Sequence, residues 1–89
     1  MPPTWQPDPS APFTRRLGRP AAALHASDGR DECPDLWQLA NGDIAVIGTD
    51  LTDAYRHRLP PDVRLAPHER LVVIPGAMLT AAKPDIPDA

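Results

Sequence analysis

The only thiol in the 89-residue chain, Cys33, is the first candidate nucleophile. A cysteine attacks as its thiolate, which nearby positive charge or a helix N-terminus favours. Cys33 sits instead in Asp31-Glu32-Cys33-Pro34-Asp35, where three carboxylates oppose ionisation. A small structural residue is the simpler reading. Metal binding needs ligands converging at short spacing, yet His25, His57 and His68 stand apart, with neither an H-x-x-x-H pair nor a second cysteine. Asp50 and Asp53 have the spacing of paired carboxylates for acid–base work, but a helix start explains both: one caps free amides and the other faces the positive helix end. Gly42 and Gly48 belong to no phosphate-cradling motif, since neither G-x-x-x-x-G-K nor G-x-G-x-x-G occurs. No catalytic, cofactor-binding or metal site is assigned, and no cofactor is expected.

Two other residue groups have recognition chemistry. Arg56 and Arg58, with Arg15, Arg16 and Arg19, are the donors best suited to carboxylate or phosphate. Trp5, Phe13 and Trp37 are large rings that gain from burial against a partner. The charge balance weighs against nucleic acid as that partner. Residues 1–30 hold four arginines against Asp8 and Asp28, whereas residues 31–89 carry ten acids against five bases. An acidic domain repels phosphate backbones.

The elements that must position these groups divide at about residue 33. Six of the thirteen prolines precede Cys33, and each removes a backbone donor and restrains its predecessor, so residues 1–32 read as a mostly irregular, proline-rich N-terminal arm. Order in that arm would come from Trp5 or Phe13 anchored on a surface, with mobile segments between. Residues 33–89 read as one small α+β domain, a two-layer sandwich in the order ββαβα.

The clearest local signal is CPDLWQLANGDIAVIGTD, where Asn41-Gly42 separates two strand-like runs. A two-residue type I′ turn there pairs Leu39 with Ile44 and Trp37 with Val46, placing all four on one buried face. Leu36 and Ile47 are then apolar on the opposite face. Thr49-Asp50-Leu51-Thr52-Asp53 reads as a helix start, and Leu51, Tyr55 and Leu59 form a stripe that Pro60-Pro61 ends. Leu71–Ile74 reads as a third strand of the same sheet, covered on both faces. Gly76–Lys83 reads as a short helix with Met78, Leu79 and Ala82 inward, stopped by Pro84.

At CPDLWQLANGDIAVIGTDLTD and HERLVVIPGAMLTAAKPDIP, covering about Cys33–Pro87, the chain resembles a group of short uncharacterised actinobacterial, Streptomyces-like proteins. Their pattern is Cys/Ser-Pro-Asp, an aliphatic, an aromatic, then a Gly-Asp turn leading into Ala-Val-Ile-Gly. The resemblance implies an intracellular bacterial setting beside a regulator or a larger partner, and carries no activity with it.

A single cysteine forbids an internal disulfide, and no run approaches the roughly 20 apolar residues that span a bilayer. The start MPPTWQPDPSAPF lacks the basic and apolar regions of a signal peptide, so a cytoplasmic location without membrane partners is expected. The function expected is a non-catalytic protein-interaction module, an adaptor or regulatory partner of a larger protein, with contacts at Trp5, Phe13, Trp37, Arg56 and Arg58. Homo-oligomerisation fits the two open edges of such a sheet. The alternatives are a nucleic-acid accessory protein using the arm and helix arginines, and a small enzyme or metal-binding protein.

Overall fold

The fold is small and α+β, in a computed structural model that describes residues 4–20, 23 and 34–86. Asn41-Gly42 does close an antiparallel hairpin, between β2 (Asp35–Leu39) and β3 (Ile44–Ile47). The turn, however, has three residues, not two. The Leu39 carbonyl accepts the Gly42 N–H at 2.9 Å, and the Leu39 N–H donates to the Asp43 carbonyl at 2.8 Å. Gly42, at φ +89°, takes the left-handed position that such a turn demands. Asn41 adds its own support, since its Oδ1 accepts the Asp43 N–H at 3.0 Å.

One extra turn residue moves the register by one. Trp37 pairs with Ala45 and Leu36 with Val46, so the expected common face of Trp37, Leu39, Ile44 and Val46 does not exist. Trp37 and Leu39 point one way. Leu36, Ile44 and Val46 point the other, and Leu36 is the residue that enters the core.

Upstream, the irregular arm expected for residues 1–32 is interrupted by a strand. Phe13–Arg16 is β1, and it pairs antiparallel with β2 to give a sheet of order β1-β2-β3. Phe13–Arg19 is a proline-free window between Pro12 and Pro20. The ladder begins at the Pro12 carbonyl, which accepts the Ala40 N–H at 2.9 Å, and ends where Leu17 N–H donates to Leu36 at 2.8 Å. Pro12 thus contributes only an acceptor at the mouth of an edge strand, a place proline tolerates. A bulge between Phe13 and Arg15 lets the Thr14 hydroxyl bond the Gln38 carbonyl at 2.8 Å.

The core lies between this sheet and α2 (Gly76–Ala82), where Leu17, Leu36, Met78 and Ala82 are buried and Ile74 packs alongside. Met78 and Ala82 are four apart and so share one helix face. Leu79, expected inward, is 58% exposed because the sheet is too narrow to cover both sides of the helix. Pro84 does not stop the chain abruptly but sits in a 3₁₀ turn, Lys83–Asp85. That turn clamps the end of β1. Asp85 Oδ2 accepts the Gly18 N–H at 2.7 Å, and the Asp85 carbonyl accepts Arg15 Nη2. Gly18 has φ +79°, and a Cβ there would lie 2.9 Å from the backbone of Ala81 and Ala82. Only glycine allows the strand end and the helix to come this close.

Leu71–Ile74 does not join the hairpin sheet. Val72–Val73 forms β5 and pairs with β4 (Thr49–Asp50) as a separate two-stranded sheet, and the two valines are 38% and 40% exposed. The chain reaches β4 directly after β3 through Gly48, where a Cβ would stand 2.6 Å from the Val73 carbonyl. The helix expected from Thr49 is correspondingly shorter. Only Thr52–Tyr55 is helical (α1), because Thr49 and Asp50 are used as a strand. Thr52 is buried and joins the two parts: its hydroxyl accepts the Leu71 N–H at 2.8 Å. The order along the chain is therefore ββββαβα, not ββαβα.

Candidate functional site

The bulge in β1 has a consequence for the aromatic residues. It sets Phe13 opposite Leu39 and Arg16 opposite Trp37, so Phe13 and Arg16 share a face although they are three residues apart. Phe13 and Trp37 pack with ring centroids 5.5 Å apart and planes tilted by 34°. The Arg16 guanidinium lies 4.7 Å from the Trp37 ring centre, within cation–π range. Its Nε and Nη2 also reach the Asp35 carboxylate at 3.0 Å, in the fork geometry that arginine offers carboxylates. Partial burial of Asp35 works against its charge, but hydrogen bonds from Arg16 and Trp37 and the arginine's charge outweigh it and hold the carboxyl below its usual range.

Phe13 nevertheless remains 54% exposed and Ile47, on the same face, 38%. The result is an open apolar surface with a braced tryptophan in the middle. Behind it, on the α2 side, Ile44, Val46, Leu79 and Ile86 border an entirely apolar cleft of about 290 Å³ floored by Leu17 and Leu36.

The other residues expected at a contact site are placed elsewhere. Trp5 lies at the hairpin tip, donating its indole N–H to Asp43 at 3.3 Å, and is 66% exposed. Arg56 pairs with Asp53 at 3.3 Å. Arg58 lies 4.4 Å from the centre of the Tyr55 ring and bonds the Ala54 carbonyl at 3.1 Å. Arg15 is held by Gln38 and Asp85. Arg15, Arg56 and Arg58 thus each have a local partner. Arg56 and His57 do border a shallow cleft of about 330 Å³ with Arg64, Leu59 and Val63.

Asp50 keeps the capping role expected of it in part. Hydrogen bonds from Thr52, and then the Arg70 guanidinium, lower its carboxyl pKa to about 2. Asp53 pairs with Arg56, so the two acids do not face a common site. Cys33 and His25 lie outside the described residues, and among those described no three metal-ligating side chains cluster. No helix among the described residues is long and apolar enough to cross a membrane.

No protein family, curated protein or solved structure matches this chain. Ala45 and Ile47 were missed as members of the open face because the two-residue turn put them on the side away from Trp37, and Arg16 because its strand was read as part of an irregular arm. The one sequence signal for the true arrangement was Leu36, an apolar residue that the assumed register left unexplained.

Proposed function

We propose that the chain is a non-catalytic protein-interaction module that receives its partner on the open Phe13–Trp37 face of the sheet. One observation carries this reading. Phe13, packed on Trp37, and Ile47 on the same face are 54% and 38% exposed, while the hydrophobic core among the described residues consists of only four side chains. Contiguous exposed apolar surface rimmed by polar groups marks contact sites, and tryptophan and arginine are the residues most often decisive there. Arg16, held between Trp37 and Asp35, is the polar rim nearest the ring. Its fixed position lowers the entropy that a partner's docking must offset. An adaptor or regulatory role for a larger protein follows from a domain whose surface is richer in apolar side chains than its interior.

The test is affinity purification of the tagged full chain from its native host, quantified against Trp37→Ala at about 150 mM and about 500 mM salt. A partner retained at both salts and lost at least tenfold with Trp37→Ala is the expected result. Retention through nucleic acid gives a different signature. Phosphate contacts weaken steeply over this salt range, and nuclease treatment removes the bound material. Recovery that Trp37→Ala leaves unchanged removes the open face from consideration.

A further inference from the structure

The two edges of the β1-β2-β3 sheet are not alike. β1 is guarded by Pro12, a bulge at Thr14 and two arginines, the devices that prevent strands from pairing between chains. β3 has none of them. Its sequence, Ile44-Ala45-Val46-Ile47, contains no charge, no proline and no irregularity, and Ile44 and Val46 are 47% and 45% exposed.

Its backbone groups can be followed residue by residue. Leu39 and Asp43 exchange a ladder bond, so in an antiparallel pair the next residues of β3 to bond β2 are Ala45 and Ile47. The N–H and C=O groups of Ile44 and Val46 therefore point outward. Among the described residues no other backbone or side-chain group bonds them. β5 pairs with the chain at Thr49 and Asp50, and Ile74 just beyond it lines the cleft beside Val46 without a hydrogen bond to β3.

We propose that β3 is a self-association edge, on which two copies of the chain join antiparallel about a two-fold axis at Ala45 to form one six-stranded sheet. In this register Ile44 of each copy faces Val46 of the other. The four outward donor–acceptor sets then satisfy one another as two hydrogen-bonded pairs. Ala45 faces its own copy at the intervening non-hydrogen-bonded position, where Cα atoms approach to about 4.5 Å and the smallest side chain of the strand fits best. Asp43 faces an isoleucine of the other copy, and Asp50 lies beyond the paired segment, so two acidic chains meet without opposing carboxylates. A two-fold axis normal to the sheet keeps Ile44 and Val46 of both copies on the α2 side, joining the two apolar clefts into one strip. It also keeps the Phe13–Trp37 surfaces of both copies together on the other side. The contact does not depend on what binds that open face.

A four-residue edge buries less than the roughly 1,200 Å² of a standard interface, so the association is weak and concentration-dependent. The test uses the full chain with Cys33→Ser and a single introduced cysteine. At a non-hydrogen-bonded antiparallel pair, opposite Cβ atoms lie about 4.5–5.5 Å apart, close to what a disulfide spans. Ala45→Cys is expected to give a covalent dimer under mild oxidation at least tenfold faster than Val46→Cys, whose twin lies two residues along the other strand from the position it faces. Sedimentation of the cysteine-free chain is expected to show a monomer–dimer equilibrium. Val46→Lys should weaken that equilibrium at least tenfold with an unchanged circular dichroism spectrum. Equal cross-linking at positions 45 and 46, no cross-linking at position 45, a strict monomer at about 1 mM, or a dimer that Val46→Lys leaves intact each overturns the proposal.

Discussion

On one face of the three-stranded sheet Leu17 and Leu36 are 3% and 5% exposed beneath Met78 and Ala82, whereas on the other Phe13 stands 54% exposed beside a tryptophan braced by an arginine. The same strands supply both faces. What separates them is α2, which covers Leu17 and Leu36 on one face, though not Ile44 and Val46 at its β3 margin, and leaves the other to solvent. Stability is therefore concentrated on the covered face and recognition on the open one, and substitutions should sort accordingly.

The largest effect is expected from Met78→Ala, which empties a fully buried position at the centre of the covered face. Such truncations cost about 2–5 kcal/mol. A core this small supplies no more than about 3–5 kcal/mol in total. The variant should thus be largely unfolded at 25 °C by circular dichroism, where Phe13→Ala on the open face should lose only about 1 kcal/mol in urea. Equal losses from the two variants would erase the distinction between the faces.

The seam that holds α2 against the strands gives the next effect, through a pair of glycines. Gly18→Ala and Gly42→Ala both place a side chain at positive φ, which costs about 1–2 kcal/mol. At Gly42 nothing lies within 4 Å, but at Gly18 the new methyl meets the backbone of Ala81 and Ala82. Gly18→Ala should accordingly be the more destabilising by at least about 1 kcal/mol in urea denaturation. The excess measures how tightly the covered face is closed.

How much of this was legible in the sequence depended on whether one residue or several decided the outcome. Asn41-Gly42 announced a turn, and the apolar content of its flanks announced two strands. The register rested on a single turn residue, and the strand Ile44-Ala45-Val46-Ile47 is apolar on both faces, so side-chain alternation had nothing to correct it with. Met78 and Ala82 were readable from helical spacing, yet Leu79 was not excluded, because sequence does not state how wide the sheet beneath a helix is. β1 was hidden by composition. Six prolines dominate residues 1–32, and the proline-free stretch from Phe13 to Arg19 has no period-two pattern, since the bulge at Thr14 breaks it. Of the residues expected at the site, Arg16 joins Phe13 and Trp37 on one face only because of that bulge.

The smallest effect separates the sheets, not the faces. In the two-stranded part, Thr52 and Arg70 lower the Asp50 carboxyl to about 2, below its ordinary value of 3.8. A carboxylate with a depressed native pKa stabilises the fold above its unfolded value, and that contribution is lost as pH falls through the native one. The urea midpoint should decline between about pH 4 and about pH 2, and Asp50→Asn should flatten part of that decline. Asp35, also lowered, contributes to the same acid limb from the open face. An acid limb that Asp50→Asn leaves unchanged would assign the whole decline to other carboxylates.

The open face as the site of partner contact is tested most directly by a photo-reactive benzoylphenylalanine at Phe13, with the same group at Val63 as a control on an exposed loop. In the native host the account predicts a discrete adduct from position 13 that disappears when Trp37→Ala is added, and none from position 63. An adduct from position 13 no stronger than that from position 63, or one indifferent to Trp37→Ala, would contradict it.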